Sequence, residues 1–206
     1  MPEAVTGFFS AAGYWLAAFM LAVFPAAVLY WVLIHPFAAF WRRRGPAVAY
    51  TVVAAVCLGL AALIFQRRGT MLAVRWPFSW WLVALGAVLY GAALWFEVQC
   101  RRYLKVSTLV GAPELGNDPG RLLTEGIYRR LRHPRYSAVI LGVAGWACFL
   151  NYPAIWILAI AVVPAFYLVM LLEERELRER FGEEYERYMR EVPNRLIPRL
   201  GQREGA

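Results

Sequence analysis

Two short stretches hold the residues best suited to chemistry. The first is Gly126-Ile-Tyr-Arg-Arg-Leu-Arg-His-Pro-Arg-Tyr136, basic and aromatic, between a polar loop and an apolar run that continues almost to Leu172. It carries one of only two histidines in the chain. Proline lacks an N–H and fixes φ, which suits the first position of a helix. Pro134 therefore predicts a helix start with His133 near its N-cap. The free N–H groups and positive dipole end of such a helix attract an anion. Arg129, Arg130, Arg132 and Arg135 add positive charge, and Tyr128 and Tyr136 offer stacking surfaces. A carboxylate or phosphate group of a cofactor fits this pattern. So do arginines that only anchor a helix at lipid headgroups. The second stretch is Glu173-Glu174, at the end of the last apolar run. Carboxylates there suit ribose hydroxyls or a cationic ligand, and equally the acidic face of an ordinary helix.

The elements that position these stretches read as membrane helices. Spans are expected at Tyr14–Ile34, Ala47–Phe65, about Phe78–Phe96 and Ala154–Leu172, each close to the ~20 apolar residues that cross a bilayer. Residues 1–13 read as a tail. Pro25 is expected to kink the first span and His35-Pro36 to end it, with His35 as an interfacial histidine. Trp80, Trp81 and Trp95 read as interfacial belts, and Glu97 as a boundary carboxylate. Ser137–Leu150 is short for a span unless it extends back through Tyr136 and Pro134. Asn151-Tyr152-Pro153 is a tight break, so the two flanking helices form an antiparallel hairpin. That hairpin returns Glu173-Glu174 to the membrane face that holds His133.

Beyond Glu173 the chain becomes amphipathic. Leu177, Phe181, Tyr185, Tyr188 and Val192 recur at steps of four, four, three and four, which is one apolar stripe on a helix. Gly182 is a candidate break in it, and Pro193 and Pro198 end it. This segment is too charged to span and is expected on the membrane surface or capping the bundle. Gly111 and Gly116 are spaced as in a phosphate loop, but Asn117-Asp118 stand where Lys-Ser/Thr should follow, which excludes that motif.

Composition supports an all-α, integral membrane helical bundle of about five spans with a cytoplasmic amphipathic C-terminal helix. The chain of 206 residues is 61% hydrophobic and 17% charged, against ~45–50% and ~25% in soluble domains. The net charge of +8 does not point to nucleic acid, because the basic residues cluster beside apolar runs. Nineteen of the 22 lie at Arg42–Arg44, in 100–135 or after 172, which predicts N-terminus out and C-terminus cytoplasmic. Cys57, Cys100 and Cys148 form no metal or redox spacing and read as buried thiols. Twenty-one arginines against one lysine point to a GC-rich genome and a bacterial inner membrane. Ala87 and Gly91 form a small-xxx-small pair, read as packing within one bundle.

A longer pattern joins the two stretches. Gly126-x-Tyr128-x-x-x-Arg132-His133-Pro134-x-Tyr136, Gly145, Glu173-Glu174-x-x-Leu177, Phe181-Gly182-x-x-Tyr185-x-x-Tyr188, Val192-Pro193 and Ile197-Pro198 follow in order. Over roughly 124–200 the chain resembles the isoprenylcysteine carboxyl methyltransferase family, related to membrane phospholipid methyltransferases. The resemblance implies S-adenosylmethionine as cofactor, a cytoplasmic pocket walled by the C-terminal segment, and a lipophilic acceptor arriving from the bilayer. It implies cofactor contacts from Tyr128, His133, Pro134, Tyr136, Gly145, Glu173 and Glu174, with Arg132 and Glu174 as candidate catalytic residues. The family often has glycine where this chain has Ala138. Residues 1–100 are then a three-span membrane region and 101–206 a methyltransferase-like core. An NADPH-dependent membrane reductase related to sterol reductases, and a non-enzymatic membrane protein, are the competing readings.

Overall fold

The computed structural model describes residues 3–104, 115 and 121–197, with side chains from residue 10. The glycine-rich stretch around the excluded phosphate loop (Leu115 apart) and the stop at Pro198 lie outside the described residues. Among the described residues the fold is all helical. Helix α1 is Glu3–Ile34, followed by a 3-10 turn at His35–Phe37. Then come α2 (Ala38–Arg44), α3 (Pro46–Gln66), α4 (Arg68–Met71) and α5 (Trp80–Arg101). A second 3-10 turn, Gly126–Arg129, leads into α6 (Pro134–Leu150), α7 (Pro153–Phe181) and α8 (Glu183–Glu191).

Four stretches, Ser10–Arg44, Pro46–Gln66, Trp80–Arg101 and Pro153–Phe181, are long and apolar enough to cross a membrane. Proline opens α3, α6 and α7, where its missing N–H costs nothing. Helix α6 begins at Pro134, as its shortness required, and its 17 residues give about 25 Å at 1.5 Å per residue. It ends on Asn151 in the left-handed conformation (φ 50°, ψ 40°), which asparagine tolerates. Asn151 then fastens the far end of the bundle. Its Nδ2 donates to the Pro77 carbonyl at 2.7 Å, and its Oδ1 accepts from Trp156 Nε1 at 3.0 Å. Arg75 donates from Nε to the Leu150 carbonyl at 3.0 Å, which gives this arginine a capping role.

Helix α1 lies against α3 and α7, while α5 pairs along its length with α6. Ala17, Ala18 and Leu21 of α1 meet Val143 and Ala147 of α6 and Ile155, Val162 and Val169 of α7 in the main apolar core. Between lipid-embedded helices such contacts hold by close packing and not by exclusion of water. The closest approach is glycine on glycine. A Cβ on Gly145 would lie 3.1 Å from the Gly86 carbonyl oxygen and 3.1 Å from the Tyr90 nitrogen, both backbone atoms of α5. Gly145→Leu is therefore expected to destabilise the protein by about 1–3 kcal/mol through overpacking. Gly91→Leu, whose Cβ would meet nothing within 4 Å, should not destabilise it. Thermal unfolding in detergent checks the contrast.

Three expectations change. The first helix starts at Glu3, not near Tyr14, because nothing in residues 3–13 stops a helix. The charged segment is not a separate helix. Glu173–Phe181 continues α7 beyond its apolar part, and only Gly182 (φ 55°, ψ −127°) turns the chain into α8. The apolar stripe survives this break: Leu177 and Phe181 of α7 close on Tyr185 and Tyr188 of α8 and on Val192. Ala87 and Gly91 face outward, and the small-residue contact inside the bundle uses Gly86 instead.

Candidate functional site

The α6–α7 hairpin brings the basic stretch and the acidic pair together. Glu174 is 1% exposed. Its Oε1 accepts from Arg132 Nε at 3.0 Å and lies 2.8 Å from Arg132 Nη2. The Arg195 fork grips both carboxylate oxygens, Nε to Oε1 at 3.0 Å and Nη2 to Oε2 at 2.9 Å. His133 Nε2 approaches Oε1 at 3.2 Å. Such charge-assisted, bidentate contacts are the strong class of hydrogen bond. Glu174 is thus occupied by protein groups and stands apart from the cavity wall. Arg132 is equally committed, since its Nη1 donates to the Val192 carbonyl at 3.0 Å. The two candidate catalytic residues form a buried ionic lock.

The chain after α8 is what this lock holds. Arg132 and His133 donate their backbone N–H groups to the Asn194 and Arg195 carbonyls, each at 3.0 Å. Ser137 Oγ donates to the Leu196 carbonyl at 2.7 Å. Arg132 and His133 precede the first turn of α6, so these groups fasten the C-terminal strap alongside the helix N-terminus. Arg195, which links strap to lock, carried no local signal in the sequence.

Beside the lock lies a cleft of about 130 Å³. Tyr128, His133, Pro134, Tyr136 and Glu173 of the expected set line it, with Arg132. Gly145 does not: it belongs to the α5–α6 contact. Glu173, its side chain 26% exposed, accepts from Tyr136 Oη at 2.8 Å. Arg135 lines the cleft with no hydrogen bond or ion pair among the described residues. Phe181, Tyr185 and Tyr188 add aromatic walls. Burial pushes the phenols of Tyr128, Tyr185 and Tyr188 up, so they remain neutral. Tyr188 donates to the Tyr128 carbonyl at 2.7 Å, whereas the buried Tyr185 hydroxyl has no partner among the described residues. Gly126 admits this geometry, because at φ 59° a side chain would collide with the Tyr103 ring. The sequence reading missed the inward position of His35 and Trp31, which bring α1 into the cleft wall.

His133 sits between two carboxylates, with Nδ1 3.5 Å from Glu173 Oε2 and Nε2 3.2 Å from Glu174 Oε1. Burial opposes its charge, but the hydrogen bonds of Glu173 and then Glu174 outweigh it, and its pKa is raised above 6.5. A raised folded pKa contributes stability that is complete below the unfolded value and lost as pH rises through the folded one. Thermal stability should therefore decline above pH ~6.5, the unperturbed histidine value. The slope should vanish in His133→Gln, and a wild type with pH-independent stability would contradict it.

The described residues thus form a helical bundle with spans of membrane-crossing length and a cleft lined by Arg135, which has no hydrogen bond or ion pair among them, by Glu173 and by several aromatic rings. The chain belongs to the phospholipid methyltransferase family, whose model matches residues 81–184, half of its length. It is 35% identical over 80 residues to a probable protein-S-isoprenylcysteine O-methyltransferase of Oryza sativa subsp. indica, covering 38% of this chain and 42% of that protein. It is likewise 35% identical over 75 residues to protein-S-isoprenylcysteine O-methyltransferase B of Arabidopsis thaliana, 36% of this chain and 38% of that one. The chain thus spans less than half the length of these relatives. No solved structure matches it.

Proposed function

We propose that the protein is an integral membrane methyltransferase that uses S-adenosylmethionine and acts on a lipophilic acceptor. The observation that supports this reading most is the cleft, where a cation without a partner among the described residues, a carboxylate and aromatic faces stand together at the end of a membrane bundle. The donor has matching parts: an amino-acid carboxylate, an amine with ribose hydroxyls, and a sulfonium beside an adenine ring. Arg135 pairs with the carboxylate. Glu173, held by Tyr136, takes the amine or a ribose hydroxyl. Tyrosine faces attract the sulfonium and stack on adenine. When bound, the donor supplies an electrophilic methyl group. The chain's own work is to orient the acceptor in line and to exclude water.

In this reading residues 101–206 form the donor-binding core, and the three-span region 1–100 supplies the wall that meets the bilayer and the acceptor. The acceptor carries a lipid or prenyl chain, in keeping with the names of the family and of the plant relatives. In this reading the cleft lies on the cytoplasmic side of a bacterial inner membrane with the N-terminus outside, an orientation that the clustering of basic residues beside the apolar runs supports. Calorimetric titration of the purified protein with S-adenosylmethionine tests the reading, followed by transfer of a labelled methyl group to membrane lipid extract. Saturable binding and a labelled lipid product are expected. Absence of donor binding, or consumption of NADPH in its place, overturns it.

A further inference from the structure

His35 is the buried histidine of the cleft to which the reading above assigns no task. It follows the last residue of α1 and is 4% exposed. Its ring stacks on Trp31, with centroids 5.0 Å apart and planes 18° from parallel. Neither ring nitrogen has a hydrogen-bond partner among the described residues. The closest recorded carboxylate oxygen, Glu176 Oε2, stands 4.0 Å from Nδ1, beyond hydrogen-bond reach, and Glu176 Oε1 is 3.5 Å from Arg180 Nη1. Buried polar groups in proteins are almost always paired. An imidazole in a cavity wall that is unpaired among the described residues is thus open to a partner that those residues do not supply.

The two histidines differ in kind. His133 is wedged between carboxylates and committed to the lock. His35 has both nitrogens open, and a neutral imidazole presents one donor and one acceptor, the pair that a group X–H with a lone pair matches. The ionisable groups facing it are Glu173, Glu176 and Arg180 of α7 and His133 at the start of α6. His35 and Trp31 also lie outside residues 81–184, the part that the family model describes. They belong to the part of the cleft that α1 supplies, on the side of the membrane-spanning region to which the reading above assigns the acceptor.

We propose that His35 is a catalytic residue on the acceptor side, receiving the proton of a protic head group (thiol, amine or hydroxyl) carried on an apolar tail. This rests on the methyltransferase reading. As the acceptor's lone pair takes the methyl group, its X–H bond breaks and the proton passes to a ring nitrogen of His35. The electrons of the broken carbon–sulfur bond stay with the sulfur of the sulfonium donor, which becomes a neutral thioether. His35 then returns its proton to water at the mouth of the cleft. General-base assistance of this kind is worth ~10²–10⁴-fold.

The test compares wild type with His35→Gln and His35→Ala, using dodecanethiol, dodecylamine and dodecanoate as acceptor probes. Donor binding is followed by calorimetry, folding by thermal unfolding, and transfer as kcat against pH. His35→Gln should bind S-adenosylmethionine within about twofold of wild type. It should lose about 100-fold or more in transfer to the thiol or amine, together with the acidic limb of the pH profile. Three results overturn the proposal alone: loss of donor binding in His35→Gln, retention of thiol and amine transfer at every pH, or a wild type that methylates only dodecanoate or none of the probes. A wild type that does not bind the donor overturns the methyltransferase reading itself.

Discussion

Glu174→Ala is expected to destabilise the protein by about 3–5 kcal/mol, the usual cost of removing one partner from a buried ion pair. The carboxylate is 1% exposed and Arg132 only 6%, so the Arg132 guanidinium cannot turn to water when the charge is lost. Arg132 would remain buried against the Val192 carbonyl, and the strap would lose the fork through which Arg195 holds it. Thermal unfolding in detergent should show the drop, and limited proteolysis should show release of the residues after α8. Glu173→Gln is the contrast. That carboxylate is partly open to the cleft, so its loss should cost less stability than that of Glu174 and a larger share of donor affinity. Unchanged melting of Glu174→Ala would mean that the lock is not structural. Replacing Arg132, Glu174 and Arg195 together by apolar residues of similar volume should recover stability, as buried ion pairs commonly allow.

Arg135→Ala should weaken S-adenosylmethionine binding by roughly 10- to 100-fold. A hydrogen bond to a charged group is worth ~1.5–3 kcal/mol, and each 1.4 kcal/mol is tenfold in affinity. Stability should move by less than about 0.5 kcal/mol, because Arg135 makes no hydrogen bond or ion pair among the described residues. Arg135→Lys should recover part of the affinity, since it keeps the charge without the fork. Equal titration curves for wild type and Arg135→Ala would remove this residue from the donor site. The pairing of a stability effect at Glu174 with an affinity effect at Arg135 separates the framework of the site from its binding wall.

Adjacent residues with the same chemistry took different parts. Glu173 and Glu174 are neighbours in sequence, yet on a helix their side chains point about 100° apart. One accepts from Tyr136 at the cleft, and the other is enclosed by Arg132, His133 and Arg195. Sequence could place the pair at the end of α7 and could not say which member faced the ligand. Gly145 is a similar case. It stands in the family pattern, but its neighbour is Gly86 of α5, a contact between segments about sixty residues apart that no local pattern encodes.

The chain by itself determined the helices, the hairpin and the apolar stripe from Leu177 to Val192. These follow from hydropathy, proline positions and 3.6-residue periodicity, which are properties of neighbouring residues. It also determined that His133 and Glu173 share one end of the bundle, because a tight turn at Asn151–Pro153 leaves two long helices no other course. Only the tertiary structure decided which charges are spent on one another. It closed Arg195 onto Glu174, turned His35 inward beside Trp31, and left Arg135 in the cleft wall with no hydrogen bond or ion pair among the described residues. The reason is physical: partner choice among buried charges depends on which helix faces meet, and those faces come from parts of the chain far apart in sequence.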